Sequence, residues 1–512
     1  MYTRLLNYKC IFAFCSSLFL FSNLVWTQDA LENRPNILFF ITDDQSWIHT
    51  SFAGEVAIKT PGFDKIASEG IYFENAFCAA PSCSPSRGAI ITGQEIWRLG
   101  EAAQLFSAVP RELSQLSFPL LLEDNGYHVG YTQKGWAPND FRIYGWEKYP
   151  LGQSYIEHQI EPLTECIVKN DYFRNFEDFL DAKEEDEPFF FWCGTSEPHR
   201  AFEKGSGMVY SIDPHKISVP GFLPDVLDVR SDIADYLLEI KWTDQHLEKI
   251  IDLLEKRGQL YNTMIIVTSD NGMAFPGAKA TLYEYGIHIP LAIRWGRGIK
   301  SAGRLSDVMV SLTDLAPTIL ELAELTIPDS MTGKSLKDIF FGLETKDRSY
   351  VFSGKERHTV CREGDLPYPQ RAVRDHRFLY IRNLEPDRWP AGSPTMKSSH
   401  GWEYGDIDMS PSLTYLKENK NKPAVENFFV FATGKRRPEE LFDIVNDPAC
   451  QRNLIDDKSF ELDKVRLSKV LSAYLFKTED PRAMNGKSAW DDYPYYFKNP
   501  NGIIPYHTFR NE

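Results

Sequence analysis

The sequence predicts an α/β domain with a largely parallel sheet, followed by a smaller α+β domain. Short continuous apolar runs are typical of strands that are covered on both faces. Such runs occur at residues 36–41, 188–194, 263–269 and 289–295. Amphipathic segments separate them, and an alternation of buried strands with helices favours a parallel sheet between helices.

Two of the predicted helices have recognisable boundaries. In the first, Thr60 is the expected N-cap, Pro61 the first helical residue and Gly70 the stop. The second covers residues 231–258, carries apolar residues at helical spacing and ends at Gly258. Both lie in the first domain and provide cover for the sheet.

The pattern changes after about residue 343. Strand-like pieces at 348–354 and 371–384 precede a polar, proline-rich stretch, and a helix is predicted near 460–476. We therefore expect an α/β domain over residues 28–345 and a C-terminal α+β domain with an antiparallel sheet over 346–512.

The N-terminal segment, residues 1–27, has the pattern of a secretory signal. A basic start at Arg4 and Lys9 precedes an apolar run and a polar exit, so cleavage is expected near Thr27 or Gln28. An uncleaved membrane anchor is the alternative. No second long apolar span follows, so we expect an exported protein without a membrane span in the mature chain, either periplasmic or secreted.

Charge and cysteine content exclude some classes of protein. A formal net charge of −16 opposes binding to nucleic acid or to an anionic membrane surface. The cysteines beyond the signal are too scattered for a disulfide framework. A bridge between Cys78 and Cys83 stays open at this stage.

Polar side chains follow three of the predicted strands. Asp43 and Asp44 come after the first, Asp270 and Asn271 after the third, and His199 shortly after the second. Strand ends in an open α/β sheet meet at one edge, where sites form. Each group alone has a simpler interpretation as turn or cap chemistry. Together their oxygen atoms favour a hard cation, Ca²⁺ or Mg²⁺.

The stretch "CSPSR" at residues 83–87 begins a predicted helix. Pro85, Ser86 and Arg87 resemble a first helical turn, which places Cys83 just before the N-terminus. The positive end of a helix favours anions and lowers the pKa of a thiol. Cys83 is then a thiolate nucleophile, half of a disulfide, or a small core residue.

"CSPSR" also resembles the Cys-x-Pro-Ser-Arg signature of the type I sulfatases. In that family a maturation enzyme oxidises the cysteine to formylglycine. Further stretches resemble family landmarks in the same order, among them "RPNILFFITDDQ", "GYHVGYTQK", "TSDNG" and "ELFDIVNDPACQRNL". "EPHRAF" and "FPGAKATLY" are similar to the heparan N-sulfatase branch. The resemblance implies an alkaline-phosphatase-like fold and, as substrate, a sulfated polysaccharide or its oligosaccharides.

The resemblance implies a role for each matching residue. Hydrated formylglycine at position 83 attacks sulfur and carries the sulfate covalently, and its second hydroxyl then expels the sulfate. Arg87 orients the hydrated aldehyde, Lys134 and Lys279 bind sulfate, and His199 binds sulfate and protonates the leaving group. Ca²⁺, with Mg²⁺ as the alternative, is held by five residues: Asp43, Asp44, Cys83, Asp270 and Asn271.

The chain departs from the family pattern beside Lys134. Gln133 replaces a glycine, and Trp136 stands where a histidine is expected. We hypothesise that Trp136 stacks on a sugar face. Charged or polar residues expected at the rim of the pocket are Glu197, Arg200, Lys355, His358 and Arg371.

Three functions compete on the sequence alone. The first is hydrolysis of sulfate esters or sulfamates of an algal polysaccharide such as ulvan or of a glycosaminoglycan such as heparan. The second is hydrolysis of phosphate or phosphonate monoesters, because one fold hosts both chemistries. The third is a catalytically silent glycan-binding protein in which Cys83 stays a thiol. A homodimer is open in each case.

Overall fold

The computed structural model describes residues 34–107, 110–136, 148–343, 348–398, 401–485, 489–499 and 502–505. The predicted signal, residues 1–27, and the predicted domain boundary at 345 lie outside these ranges. Among the helices that are described, none combines the length and the apolar character needed to cross a bilayer.

The central sheet has eight strands in the order β4-β3-β5-β1-β6-β7-β2-β8. Neighbouring strands are parallel except at β7, which is antiparallel to both β6 and β2. The prediction of a mostly parallel sheet is therefore confirmed. The strands are β1 Asn36–Thr42, β2 Ile71–Phe77, β3 His128–Gln133, β4 Gln153–Ser154, β5 Phe189–Gly194, β6 Thr263–Ser269, β7 Leu291–Arg294 and β8 Arg304–Ser311.

Strand β7 differs from the other three predicted strands. The runs at 36–41, 188–194 and 263–269 form β1, β5 and β6 to within one residue. The fourth run forms a shorter strand and runs in the opposite direction. The chain after β6 builds the loops at the carboxyl edge of the sheet, so β7 starts from that edge and returns, without the crossover that parallel pairing requires.

Helices cover both faces of the sheet. Helix α1 begins at Pro61 and ends before Gly70 as predicted, although the hydroxyl of Thr60 donates to Asp64 instead of capping the helix. The helices are α1 Pro61–Glu69, α2 Cys83–Thr92, α3 Arg111–Ser114, α4 Phe118–Glu123, α5 Tyr172–Ala182, α6 Ser206–Val209, α7 Leu227–Lys256, α8 Glu284–Ile287, α9 Leu315–Leu322, α10 Lys337–Phe340, α11 Pro411–Asn419, α12 Pro423–Thr433, α13 Glu461–Lys477 and α14 Pro481–Asn485.

The C-terminal part contains a separate antiparallel sheet in the order β12-β11-β10-β9, as predicted. Helix α13 packs on this sheet, and its bounds agree with the predicted range to within one residue. Helix α11 lies in the polar, proline-rich stretch, where the sequence predicted no helix. A short hairpin, β13–β14, follows. The strands are β9 Val351–Lys355, β10 Gln370–Arg374, β11 Phe378–Asn383, β12 Glu439–Asp443, β13 Tyr496–Asn499 and β14 Gly502–Pro505.

The two sheets share one hydrophobic core. Ile37, Phe39 and Ile41 of β1 point into a cluster that also contains Leu379 and Ile381 of β11. The alternate residues of β1 point into a second cluster beneath α1, α5 and α7. Because β1 is apolar on both faces, alternate residues pack beneath α1, α5 and α7 on one side and, on the other, into the cluster that extends to the second sheet.

A buried ion pair also joins the two parts of the chain. Arg374, at the end of β10, donates to both carboxylate oxygens of Glu284 in α8, at 2.9 and 3.0 Å. Both side chains are at most 5% exposed. Burial favours the neutral acid, but Arg374 and the hydrogen bond with His288 outweigh it and lower the pKa of Glu284 to about 2.

We predict that Arg374→Met lowers the free energy of unfolding by about 3 to 5 kcal/mol, because it leaves a buried carboxylate without its partner. Arg437→Met is the matched control, since Arg437 pairs with Asp456 at the surface and both side chains are exposed. The control should leave stability nearly unchanged. Urea unfolding at pH 7 measures both, and equal effects would contradict the prediction.

The same pair predicts a dependence on pH. The pKa of Glu284 is lower in the folded chain than its ordinary value of 4.5, so its contribution is complete above about pH 4.5 and is lost as pH falls towards about 2. The difference in stability between wild type and Arg374→Met should shrink over that window. Unfolding curves at several pH values measure it, and a difference that grows on acidification would contradict the assignment.

Candidate active site

Three carboxylates and an amide meet at the carboxyl edge of the central sheet. The register of β1 with β6 places Thr42 opposite Ser269, so the residues that follow these strands lie side by side. Ligand atoms of Asp43, Asp44, Cys83 and Asp270 all lie within 4.8 Å of one another, and all four side chains are buried. The structure thus brings together the groups that the strand ends predicted.

The backbone holds the acidic cluster in place. Asp44 adopts a left-handed conformation with φ of 73°. Its N–H donates to Oδ1 of Asp270 at 3.1 Å, and the N–H of Asn271 donates to the same oxygen at 2.8 Å. A Cβ on Gly272 would lie 1.8 Å from the carbonyl oxygen of Tyr285, so only glycine fits after this asparagine.

Asn271 supplies an oxygen without a protein donor. Its Nδ2 donates to Oδ1 of Asp44 at 2.7 Å, whereas its buried Oδ1 has no hydrogen-bond partner among the described residues. A buried acceptor without a donor is costly unless a cation or water contacts it. With three adjacent carboxylates, this oxygen completes a donor set suited to Ca²⁺ or Mg²⁺.

Cys83 is the first residue of α2, one position further into the helix than predicted. Its thiol donates to Oδ1 of Asp43 at 3.3 Å. Burial, and next the charge of Asp43, raise the pKa of the thiol well above its ordinary value and outweigh Lys134 and Lys279. The predicted lowering by the helix end is therefore wrong, and the thiol is neutral at physiological pH.

The sequence also left a disulfide open. All six cysteines in the described part of the chain are free. The Sγ atom of Cys78 faces the carbonyl oxygen of Gly286 at 3.8 Å. The bridge between Cys78 and Cys83 is therefore not formed.

Arg87 connects α2 to the acidic cluster. Its Nε donates to Oδ2 of Asp270 at 2.7 Å, and its Nη1 donates to the carbonyl oxygens of Lys134 and Gly135 at 3.0 and 3.1 Å. The side chain is 1% exposed. Arg87 thus balances one buried carboxylate and fixes the loop after β3 beside Cys83.

Two lysines and a histidine face the cluster from the cleft. Lys134 Nζ bonds to Oδ2 of Asp43, and Lys279 Nζ lies 2.6 Å from Oδ2 of Asp44. His199 Nε2 lies 3.8 Å from the same oxygen of Asp44. Burial opposes the charge on each lysine, but the facing carboxylates prevail and raise both pKa values, so both lysines stay protonated.

The pKa values of Asp43 and Asp270 are shifted in opposite directions. Burial opposes ionisation of Asp43, but Lys134, with smaller contributions from His199 and Arg87, lowers its pKa. Burial and then the charge of Asp43 raise the pKa of Asp270, although Arg87 contacts it. Carboxylates this close repel one another, so the site accommodates them best with a divalent cation.

A cleft of about 770 Å³ opens above Cys83, between the two parts of the chain. The first part contributes Leu105 and Phe106 together with five of the predicted residues: Cys83, Arg87, Lys134, His199 and Lys279. From the stretch after residue 398, the sequence prediction missed Trp402, Asp408 and Met409, which also line the cleft. No periodic pattern or catalytic motif marks that stretch.

Comparison with known proteins decides the family. Residues 35–325 match the family described as Sulfatase. The chain belongs to the sulfatase family. Residues 277–385 also match the family described as N-sulphoglucosamine sulphohydrolase, C-terminal, which places this sulfatase in the heparan N-sulfatase-like branch.

Individual relatives agree with this placement. The sulfatase is 26% identical over 500 residues to the N-sulphoglucosamine sulphohydrolase of Homo sapiens, covering 88% of this chain and 91% of the relative. It is 25% identical over 457 residues to an ulvan-active sulfatase of Formosa agariphila, covering 87% and 81%. The chain is therefore a sulfuric ester hydrolase.

Solved structures share the fold. A structure in complex with its substrate D-glucosamine-2-N,6-O-disulfate superposes with a TM-score of 0.63 at 20% identity, covering 89% of this chain and all of the other. A phosphonate monoester hydrolase from Silicibacter pomeroyi superposes with a TM-score of 0.65 at 16% identity, covering 92% and 99%. At these identities the likeness concerns the fold alone.

The expected rim residues divide into two groups. Arg200 and His358 line the cleft. Glu197, Lys355 and Arg371 do not, and the expectation is wrong for them. Each is buried in a local network instead: Glu197 accepts from Tyr172, Lys355 donates to Asp406, and Arg371 donates to Glu356 and Asp480.

The two departures from the family pattern lie in the cleft wall. Trp136 is 2% exposed and stacks on Tyr149, with ring centroids 6.3 Å apart, so its ring presents little surface to a sugar. Gln133 donates to the hydroxyl of Ser196 at 3.0 Å. Trp402, which is less buried, is the better placed aromatic residue.

We predict that Cys83 in the unmodified sulfatase reacts slowly with iodoacetamide at pH 8, because the thiol is buried and its pKa is raised. Exposed Cys166 is the internal control and should be labelled first. In urea both should react. Peptide mass spectrometry measures the labelling, and fast labelling of Cys83 in the folded chain would contradict its assigned environment.

Proposed function

We propose that this sulfatase removes one sulfate from a sulfated oligosaccharide or polysaccharide, after Cys83 has been converted to formylglycine. One observation supports the proposal above the others. Cys83 lines the cleft with its thiol against the buried carboxylate of Asp43, and two protonated lysines of the same lining, Lys134 and Lys279, bond to Asp43 and Asp44. That arrangement offers an anionic group cations beside the reacting residue.

The neutral thiol supports the modification. A buried, protonated Cys83 is a poor nucleophile, whereas formylglycine supplies a hydrated aldehyde whose hydroxyl can attack sulfur and whose second hydroxyl can release the sulfate. Around that position Arg87 fixes the loop that carries Lys134, and the carboxylate of Asp43 accepts a hydrogen bond from the side chain of residue 83. A maturation enzyme acting on "CSPSR" is the expected partner.

The cleft lysines and His199 have separate tasks. Lys134 and Lys279 bind the sulfate oxygens and withdraw charge from the sulfur. His199 is 36% exposed, and its Nδ1 lies 2.6 Å from the carbonyl oxygen of Arg200, which orients the ring. Its Nε2 is directed to the cluster and can deliver a proton to the departing oxygen or nitrogen.

Ca²⁺ fits the acidic cluster. Asp43, Asp44, Asp270 and Asn271 would hold the ion through their oxygen atoms, and the buried Oδ1 of Asn271 needs such a partner. When bound, the ion supplies positive charge that offsets the charge developing on the sulfate oxygens.

The substrate class follows from the relatives and from the cleft. The relatives described above act on ulvan or on N-sulphoglucosamine, as their names state. We infer that the sulfated sugar here is an algal polysaccharide or glycosaminoglycan unit carrying a sulfate ester or a sulfamate. Trp402 offers an aromatic face to the sugar. The pattern of residues 1–27 supports export, to the periplasm or beyond.

We predict that the peptide containing Cys83 carries formylglycine when the sulfatase is produced with a maturation enzyme, and that such protein releases sulfate from an aryl sulfate. Cys83→Ala should lower kcat/KM at least about 10³-fold, because the nucleophile is lost. Cys166→Ala, at the surface, is the control. Peptide mass and released sulfate measure these outcomes. Faster hydrolysis of a matched aryl phosphonate than of the sulfate would contradict the proposal.

We predict that Ca²⁺ raises the Tm of the chelator-treated sulfatase. An ion that binds only the folded chain adds about 4 kcal/mol to the free energy of unfolding at roughly a thousand times its Kd. Asp270→Asn should abolish the shift, because it removes a charged ligand. Asp64→Asn, whose carboxyl group serves Ser51 near α1, should retain it. Calorimetry with Ca²⁺ and with Mg²⁺ distinguishes the ions. An equal shift in the Asp270 variant would contradict the assigned site.

A further inference from the structure

The second part of the chain places one carboxylate in the cleft. The segment from Trp402 to Met409, here called the cleft loop, contributes Trp402, Gly405, Asp408 and Met409 to the lining. Asp408 is the one acid among the described residues that line the cleft. A negative side chain beside a sulfate pocket is unfavourable unless it performs a task.

Asp406 anchors the cleft loop to β9 and to the segment that follows it. This buried carboxylate accepts from Nζ of Lys355 at 3.0 Å, from the N–H of Thr359 at 2.9 Å, and from the guanidinium of Arg362. These partners belong to β9 and the segment after it. These contacts anchor the backbone two residues before Asp408.

Asp408 directly contacts a lysine of the sulfate pocket. Its Oδ2 lies 3.2 Å from Nζ of Lys279, which in turn lies 2.6 Å from Asp44. The Asp408 side chain is 24% exposed, so part of the carboxylate faces the cleft. Burial opposes its ionisation, but Lys279 and His199 lower its pKa, and the group is charged.

Beyond Lys279 and His199, the described lining offers no cation that could neutralise a second sulfate beside Asp408. Arg87 is occupied by Asp270, and Arg200 donates to both carboxylate oxygens of Asp232 at 2.7 and 2.9 Å. His358 is neutral, because burial lowers its pKa to about 3. The two lysines that remain serve the sulfate being removed.

We propose that Asp408 is a specificity-determining residue: it admits a sugar whose carbon next to the scissile sulfate carries a hydroxyl or amine, and it excludes one that carries a second sulfate there. Substituents on adjacent ring carbons lie side by side, so that neighbour comes within reach of the carboxylate that contacts Lys279. A hydroxyl or amine donates to a carboxylate. A sulfate has only acceptors and meets a like charge.

The inference rests on the proposed function and adds an order of events to it. A sugar with two adjacent sulfates must first lose one of them to a different sulfuric ester hydrolase. This sulfatase then acts on the monosulfated unit. Asp408 should repel the disulfated sugar but not its monosulfated counterpart. The ratio of the kcat/KM values for the two sugars therefore measures the repulsion.

The test compares formylglycine-bearing wild type with Asp408→Asn on two pairs of sugars. One pair is D-glucosamine 2-N-sulfate and its 2-N,3-O-disulfate, and the other is D-galactose 4-sulfate and its 3,4-disulfate, so that the second sulfate of each disulfate lies on the adjacent ring carbon. In whichever pair is cleaved, wild type should favour the monosulfated sugar at least about tenfold in kcat/KM. Asp408→Asn keeps an acceptor for Lys279 but removes the charge, and it should reduce that ratio at least about fivefold.

Glu403→Gln is the matched control, because it removes one charge from the same loop at a residue that pairs with Lys417. It should keep the wild-type ratio. Asp408→Ser is the second variant should the first not fold. An equal loss on both members of a pair means that Asp408 only positions Lys279 and overturns the inference. If the formylglycine-bearing protein hydrolyses aryl sulfate but cleaves neither pair, the proposed saccharide substrate and the inference are both overturned. If it is inactive on aryl sulfate, the proposed function itself is refuted.

Discussion

The structure depends on a balance of buried charge at the carboxyl edge of one sheet. Asp43, Asp44 and Asp270 lie within ligand distance of one another, and each has a cationic partner. Buried carboxylates at such spacing are tolerated only when opposite charge and hydrogen bonds surround them. Arg87 and the two lysines supply opposite charge in the structure, and we propose that a divalent ion adds to it and that the same cations bind the sulfate.

The second part of the chain completes the site. Its sheet shares a hydrophobic core with the first, and the pair between Glu284 and Arg374 anchors the segment that follows the lysine at 279. Through Asp406 the same sheet supports the cleft loop. The acidic sheet edge and the cleft loop are thus contributed by different parts of the chain.

Much of the site could be predicted because its groups follow strands directly. Apolar runs locate the strands, and parallel neighbours place their ends together, so Asp43 and Asp270 are found from local patterns. The C-terminal antiparallel sheet follows from strand patterns in the same way. The direction of β7 could not be predicted from its composition. It depends on the loops after β6, which stay at the carboxyl edge of the sheet, so that β7 starts from that edge.

The sequence by itself determined the fold class, the acidic groups that follow the strands and the segment "CSPSR" that begins α2, since each is written in contiguous residues. Only the tertiary structure decided the protonation of Cys83, because burial and a facing carboxylate overrule the helix end. It also decided which expected rim residues reach the cleft, and it placed Asp408 against Lys279. Those outcomes depend on contacts between distant segments, and such contacts have no signature in local spacing.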